Sequence, residues 1–141
     1  MLKKIPKTLS PQLLKTLMEM GHGDEIVIAD GNFPCHTISG NVIRADGLSG
    51  TEVLGAIMDL FPLDSYSEQQ VFLMEVVDGD NYMPEIWNNY KEILTMSGEP
   101  FTIGYIERFA FYERARKSYA VVATGEKALY ANIILKKGVV K

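Results

Sequence analysis

Glu25-Ile26-Val27-Ile28-Ala29 restricts the fold more than any other stretch of this chain. Four consecutive apolar residues carry no period-two alternation, so a strand built from them needs cover on both faces. Strands of that kind belong to parallel sheets sandwiched between helices, and such sheets bind ligands beyond the carboxyl ends of their strands. Asp30 stands at that end, on a loop whose Gly31 and Pro34 set an unusual path. At the other end lies Gly21-His22-Gly23. His22 is one of two histidines in the chain, and imidazole is the side chain best matched to proton transfer near neutral pH.

The flanking sequence alternates helix and strand signals. Ser10 as N-cap and Pro11 at the first position predict a helix with an apolar stripe of Leu13, Leu14, Leu17 and Met18, ended by Gly21. A strand is expected over Asn41–Ala45, turned by Asp46-Gly47. Ser49-Gly50-Thr51-Glu52 has the form of a capping box and predicts a helix to about Phe61, before Pro62. Val71–Val77 reads as another buried strand, and Asp78-Gly79-Asp80-Asn81 as a loop. Pro84 opens a helix carrying Ile86, Trp87, Tyr90, Ile93 and Leu94, stopped by Gly98. A short strand over Phe101–Ile106, a helix over Arg108–Lys117 and strands over Tyr119–Thr124 and Asn132–Lys136 complete the pattern. The expectation is one α/β domain over residues 1–141, with three α/β/α layers and a mainly parallel central sheet.

Charge and motif content exclude several function classes. The net charge of −4 argues against nucleic-acid and anionic-membrane partners. No stretch approaches the ~20 apolar residues of a membrane span, and the first residues lack a signal-peptide core. One cysteine excludes an internal disulfide framework and a cysteine-based zinc site, so a reducing cytoplasm is expected. No Gly-x-Gly-x-x-Gly or Gly-Lys-Ser/Thr motif occurs. Asp78 and Asp80 resemble a fragment of a calcium loop without its closing glutamate, so no metal is expected. Arg114-Ala115-Arg116-Lys117 reads as a helix C-terminal turn complementing the dipole.

Each remaining candidate has a functional and an ordinary reading. His22 between glycines is open to close approach by a ligand, or simply bonds backbone in a loop. Asp30 is a ligand group at a strand end, or caps a turn. The two flank opposite ends of a strand spanning about 17 Å, so a common site requires the chain to fold back or two subunits to share it. Cys35-His36 on an extended chain would point apart, which leaves Cys35 as a small buried residue. Arg108 and Tyr112 share a helix face, suited to sugar hydroxyls or to a plain stacking pair. Tyr130 and Asn132 would face the same way if extended, again suiting a polyol or an ordinary turn. Met74, Trp87 and Phe61 are core by default.

Four separated segments together resemble the RbsD/FucU family of sugar mutarotases. They are Gly21–Asp24 with Ala29–Pro34, Phe61–Asp64, Glu107–Arg114 and Tyr130–Leu135. Asn32-Phe33-Pro34 and the Glu107–Arg114 segment resemble the family's L-fucose branch more than its D-ribose pyranase branch, which tends to carry histidine where Arg108 stands. The resemblance implies interconversion of the α and β anomers of L-fucose by acid/base-assisted ring opening, without a cofactor. It implies His22 as proton donor, and Asp30, Arg108, Tyr130, Ala131 and Asn132 as sugar-binding positions, with Asp64, Met74 and Tyr112 beside them. It also implies a ring-shaped homodecamer with pockets at subunit boundaries. Ribose pyranase and a non-catalytic monosaccharide-binding protein are the alternatives; a small hydrolase or aldolase lacks its nucleophile elbow or reactive-lysine context.

Overall fold

The computed structural model describes residues 1–141. In order, the chain forms α1 (Pro11–Glu19), β1 (Glu25–Ala29), α2 (Cys35–Ile38), β2 (Val42–Ala45), α3 (Gly50–Met58), β3 (Val71–Met74), α4 (Ile86–Met96), β4 (Ile103–Ile106), α5 (Arg108–Arg116), β5 (Ala120–Thr124) and β6 (Ile133–Lys136). The predicted caps are present. Ser10 Oγ accepts the Leu13 N–H at 3.1 Å. Ser49 Oγ accepts the Glu52 N–H at 3.2 Å while the Glu52 carboxylate accepts the Ser49 N–H at 2.8 Å, closing the capping box.

The six strands make one sheet in the order β2-β5-β1-β6-β3-β4. Five run parallel to one another; β6 is antiparallel to both of its neighbours, β1 and β3. Alternate residues of the same strands serve two cores. Ile26, Ile28, Ile43, Leu73, Val122 and Ile133 pack with α1, α3 and α4. Val27, Ala29, Phe72, Val121 and Ile134 pack with α2 and α5 on the other face. That division gives the expected three layers, and it explains why β1 shows no polar alternation: both of its faces are covered. Burying a side chain such as Phe111 of α5, which has no exposed surface, stabilises by about 1.5–3 kcal/mol. Arg114 ties the same helix to the sheet. Its guanidinium meets Glu25 through Nη2 at 2.6 Å and Nε at 2.9 Å, and lies 3.6 Å from the Phe72 ring centroid.

Several local expectations are corrected. α1 ends at Glu19 because Met20 leaves in an extended conformation; the left-handed residue of that loop is Gly23, with φ +88°, not Gly21. Met18 is 77% exposed, since Leu13 and Leu17 already fill the face against the sheet. α3 stops at Met58, and Phe61 leaves the helix to be buried. β3 stops at Met74 rather than Val77, because β6 begins opposite Leu73 and β4 ends at Ile106, where Glu107 caps α5. Cys35-His36 lie on the short helix α2, not on extended chain. Cys35 is buried, and the exposed His36 meets Arg44 at 3.3 Å. Trp87 is half-buried, its indole N–H donating to the Tyr130 carbonyl at 2.8 Å.

Gly125 holds the turn after β5 in place. A Cβ there would come within 2.1 Å of the Asp46 carbonyl oxygen, so only glycine permits this approach. The turn in turn fixes the loop after β1, since Gly31 N–H donates to the Glu126 carbonyl at 2.8 Å.

Candidate active site

At the carboxyl ends of β1 and β3 lies a cavity of about 270 Å³, just under the usual size for drug-like ligands. Asp30, Met74, Arg108, Tyr112, Tyr130 and Asn132 line it, all of them expected from the sequence. The antiparallel β6 is what gathers them. Its first residue, Ile133, pairs with Ile28 and Leu73, so the preceding Tyr130–Asn132 segment arrives beside Asp30 and Met74. α5 begins directly after β4 and carries Arg108 and Tyr112 to the same rim.

The polar groups are already oriented. Asp30 is buried; its Oδ1 accepts the Asn32 N–H at 2.9 Å, and its own N–H donates to Asn132 Oδ1 at 2.8 Å. Asn132 therefore keeps its amide NH₂ as donors for a ligand. Burial pushes the Asp30 carboxyl above the usual range, opposed by the N–H groups of Asn32, Phe33 and Ala131 and by Asn132. Arg108 Nε donates to Tyr112 Oη at 3.1 Å, which raises the guanidinium pKa and leaves its terminal nitrogens without a hydrogen-bond partner in the chain. The predicted Arg–Tyr helix face is thus real, with the guanidinium 5.5 Å from the Tyr112 ring centroid.

Tyr130 departs from the extended geometry expected of it. It adopts a left-handed conformation, φ +57°, uncommon for a tyrosine, and stays there because its carbonyl is held by Trp87 and its hydroxyl by Asp80. Ala131 is buried in the α1/α3/α4 core and its carbonyl accepts the Tyr90 hydroxyl at 2.7 Å, so its methyl does not line the cavity. The lining also includes Asn32, Phe33, Val77, Asp80 and Leu129, which sequence reasoning did not single out as site residues. Asn32 and Phe33 had a local signal in their place just after the Asp30 strand end, and Asp80 one only as part of an incomplete calcium loop.

His22 and Asp64 form a second cluster at the opposite end of β1. His22 Nε2 lies 2.9 Å from Asp64 Oδ1, with the imidazole about half exposed and the carboxylate buried. Ser67 Oγ donates to Asp64 Oδ2 at 2.6 Å, Tyr66 N–H to Oδ1 at 3.1 Å, and Lys136 Nζ stands 3.8 Å from Oδ2. The Ser67 hydroxyl, then His22 and the Tyr66 N–H, hold the Asp64 carboxyl down at about 2 against the burial that would raise it. A carboxylate lowered on folding stabilises above its unfolded pKa of 3.8, and that contribution disappears as pH falls towards 2. The expected result is a wild-type advantage over Asp64→Asn, on the order of 1–2 kcal/mol at pH 5, that shrinks steadily from pH 4 to pH 2. Thermal denaturation of both proteins across that range checks it; a constant difference would show that the charge of Asp64 is not what stabilises.

A larger groove of about 720 Å³ runs past Gly23, Asp24, Glu25, Arg114 and Lys117. Its principal cation, Arg114, is consumed by Glu25, so the smaller cavity is the better-equipped binding site. No cluster of three or more potential metal ligands occurs.

Comparison with known proteins places these features. The family model described as the RbsD / FucU transport protein family matches residues 3–140. The fucose mutarotase from Streptococcus pneumoniae, solved in complex with L-fucose, is 55% identical over 99% of this chain and 100% of its own, with a TM-score of 0.95. FucU from Bifidobacterium longum is 50% identical over 99% of this chain and 100% of its own, with a TM-score of 0.94. RbsD from Bacillus subtilis, solved with D-ribose, is 23% identical over 94% of this chain and 95% of its own; its TM-score of 0.72 shows a common fold. With nearly every residue inside the family model and half or more identical to two solved proteins of the same architecture, this chain belongs to the RbsD/FucU family.

Proposed function

We propose that this chain is an L-fucose mutarotase, interconverting the α and β anomers by opening and reclosing the sugar ring. One observation carries the reading: Asp30, Asn132, Arg108, Tyr112 and Tyr130 converge on a single monosaccharide-sized cavity, in a chain 55% identical to a protein solved with L-fucose. The lining is rich in hydroxyl-binding groups. Nothing has to be oxidised and no group has to leave, so the reaction needs only a proton for the ring oxygen and an acceptor for the anomeric proton, without a cofactor.

His22 supplies the ring-oxygen proton in this reading. With Nε2 donating to Asp64, Nδ1 is the nitrogen left to face a substrate, and the carboxylate fixes the orientation of the ring. Asp64 thus serves His22 rather than the sugar. Asp30 accepts from one hydroxyl, Asn132 NH₂ donates to another, and Arg108 anchors a third oxygen. Within one copy the His22 cluster lies about 17 Å of strand away from the cavity. The proton donor therefore comes from a neighbouring copy, in a ring of ten with cavities at the boundaries. A buried, unpaired Cys35 is compatible with a reducing cytoplasm.

Saturation-transfer NMR tests the function. Irradiating the α-anomeric proton of L-fucose is expected to attenuate the β signal strongly with catalytic protein and weakly without it. Transfer confined to D-ribose would replace the reading with a pyranase; binding of L-fucose without transfer would leave a sugar-binding protein.

A further inference from the structure

The cavity also holds a tyrosine–carboxylate pair, Tyr130 and Asp80, whose carboxylate the proposed reaction has not yet used. Tyr130 Oη donates to Asp80 Oδ2 at 2.9 Å, a contact between residues fifty positions apart. Asp80 Oδ1 accepts the Tyr82 N–H at 2.9 Å, and the Tyr82 ring stacks on Tyr130 with centroids 6.0 Å apart and planes 26° from parallel. The Val77 N–H reaches the same phenolic oxygen at 3.4 Å. The loop after β3 therefore grips Tyr130 from three directions. Asp80 and Tyr130 both line the cavity, while Asp80 stays exposed enough to remain hydrated.

We propose that Asp80 is the terminal proton acceptor of the reaction, acting through Tyr130 as a positioning and relay residue. This deepens the mutarotase reading and rests on it. A phenol whose own hydrogen is committed to a carboxylate presents its remaining lone pair to the substrate, so Tyr130 meets the anomeric hydroxyl as an acceptor. When the ring opens, the anomeric O1–H proton passes to Tyr130 Oη, and the original phenolic proton passes to the Asp80 carboxylate. The O1–H bonding pair becomes the second bond of C1=O1. The C1–O5 bond breaks, its electron pair goes to O5, and O5 takes the His22 proton. Reclosure on the other face of the aldehyde runs each transfer backwards, so every group ends as it began. Burial, reinforced by the Asp80 carboxylate, keeps the Tyr130 phenol above its ordinary pKa, with Arg108 opposing from the far side of the cavity. A free phenolate is thereby disfavoured, and a hand-over to Asp80 avoids forming one.

The test is Asp80→Asn, which keeps an acceptor oxygen for the Tyr82 N–H but cannot take a proton. By saturation-transfer NMR with L-fucose, kcat is expected to fall by about tenfold to a hundredfold while KM changes less than about threefold. Asp80→Glu is expected to recover part of the loss. Tyr130→Phe combined with Asp80→Asn is expected to be no slower than Tyr130→Phe alone, because both remove one relay. An Asp80→Asn protein with wild-type kcat, a loss confined to KM, or losses that simply multiply in the double variant would each overturn the relay. Failure of the wild-type protein to exchange L-fucose anomers would instead overturn the mutarotase reading.

Discussion

Replacing His22 with alanine is expected to slow anomer exchange of L-fucose by about 10²–10⁴-fold, the usual contribution of a positioned general acid. Binding should change less than kcat, because in the proposed reaction His22 meets the sugar only at its ring oxygen, while the groups lining the cavity take its hydroxyls. Asp64→Asn keeps an imidazole in place and removes only the carboxylate that orients it. Its loss is expected to be smaller, on the order of tenfold. The two kcat values, read from α-to-β saturation transfer at saturating sugar, decide the matter. A His22→Ala protein that exchanges at the wild-type rate would remove this residue from proton transfer. Equal losses for both variants would mean that orientation by Asp64 is as important as the imidazole itself.

A mixture of two inactive proteins is expected to regain activity. His22→Ala lacks the proposed proton donor; Asp30→Asn lacks the buried carboxylate proposed to hold a sugar hydroxyl. If each cavity is completed by a neighbour, copies assembled together at equal ratio place intact His22 against intact Asp30 at about a quarter of the boundaries. Exchange should then return to about a quarter of the wild-type rate, far above either parent. Co-expression with distinguishable tags, followed by tandem purification and NMR, measures it. Activity no higher than the sum of the two parents would confine the chemistry to single subunits, and the strand separating His22 from Asp30 would then need another explanation.

Much of this was legible in the primary structure, for reasons that differ from place to place. Ser10 and Ser49 announced helix starts because capping is local, a matter of three residues. The unbroken run in β1 announced a doubly covered strand. The direction of β6 was not legible. Ile133-Ile134-Leu135 is buried on both faces like its parallel neighbours, so composition gives no sign of its reversal. Asp30, Arg108, Tyr112 and Asn132 line one cavity as the family resemblance implied, whereas strand ends and helix faces by themselves left each of them an ordinary reading as well. Asp80 was passed over as a broken metal loop, since its real partner, Tyr130, lies fifty residues on and adopts a backbone conformation no local rule would assign to tyrosine. The distance concern raised between His22 and Asp30 was sound: the fold keeps them at opposite ends of β1.

The reversed strand links those two ends. β6 enters with Tyr130–Asn132 at the cavity and leaves with Lys136, whose ammonium donates to Ser67 beside Asp64. Four residues, about 13 Å, separate the polyol grip from the support of the imidazole. If the proposed sharing of sites between copies holds, β6 is a fixed ruler between the cavity that one copy offers and the imidazole that it lends to the next. A single-residue insertion or deletion in it would exchange the side chains it sends into the two cores and displace Asn132 and Lys136 relative to each other. Under that proposal, damage to this one strand would be felt on both sides of the subunit.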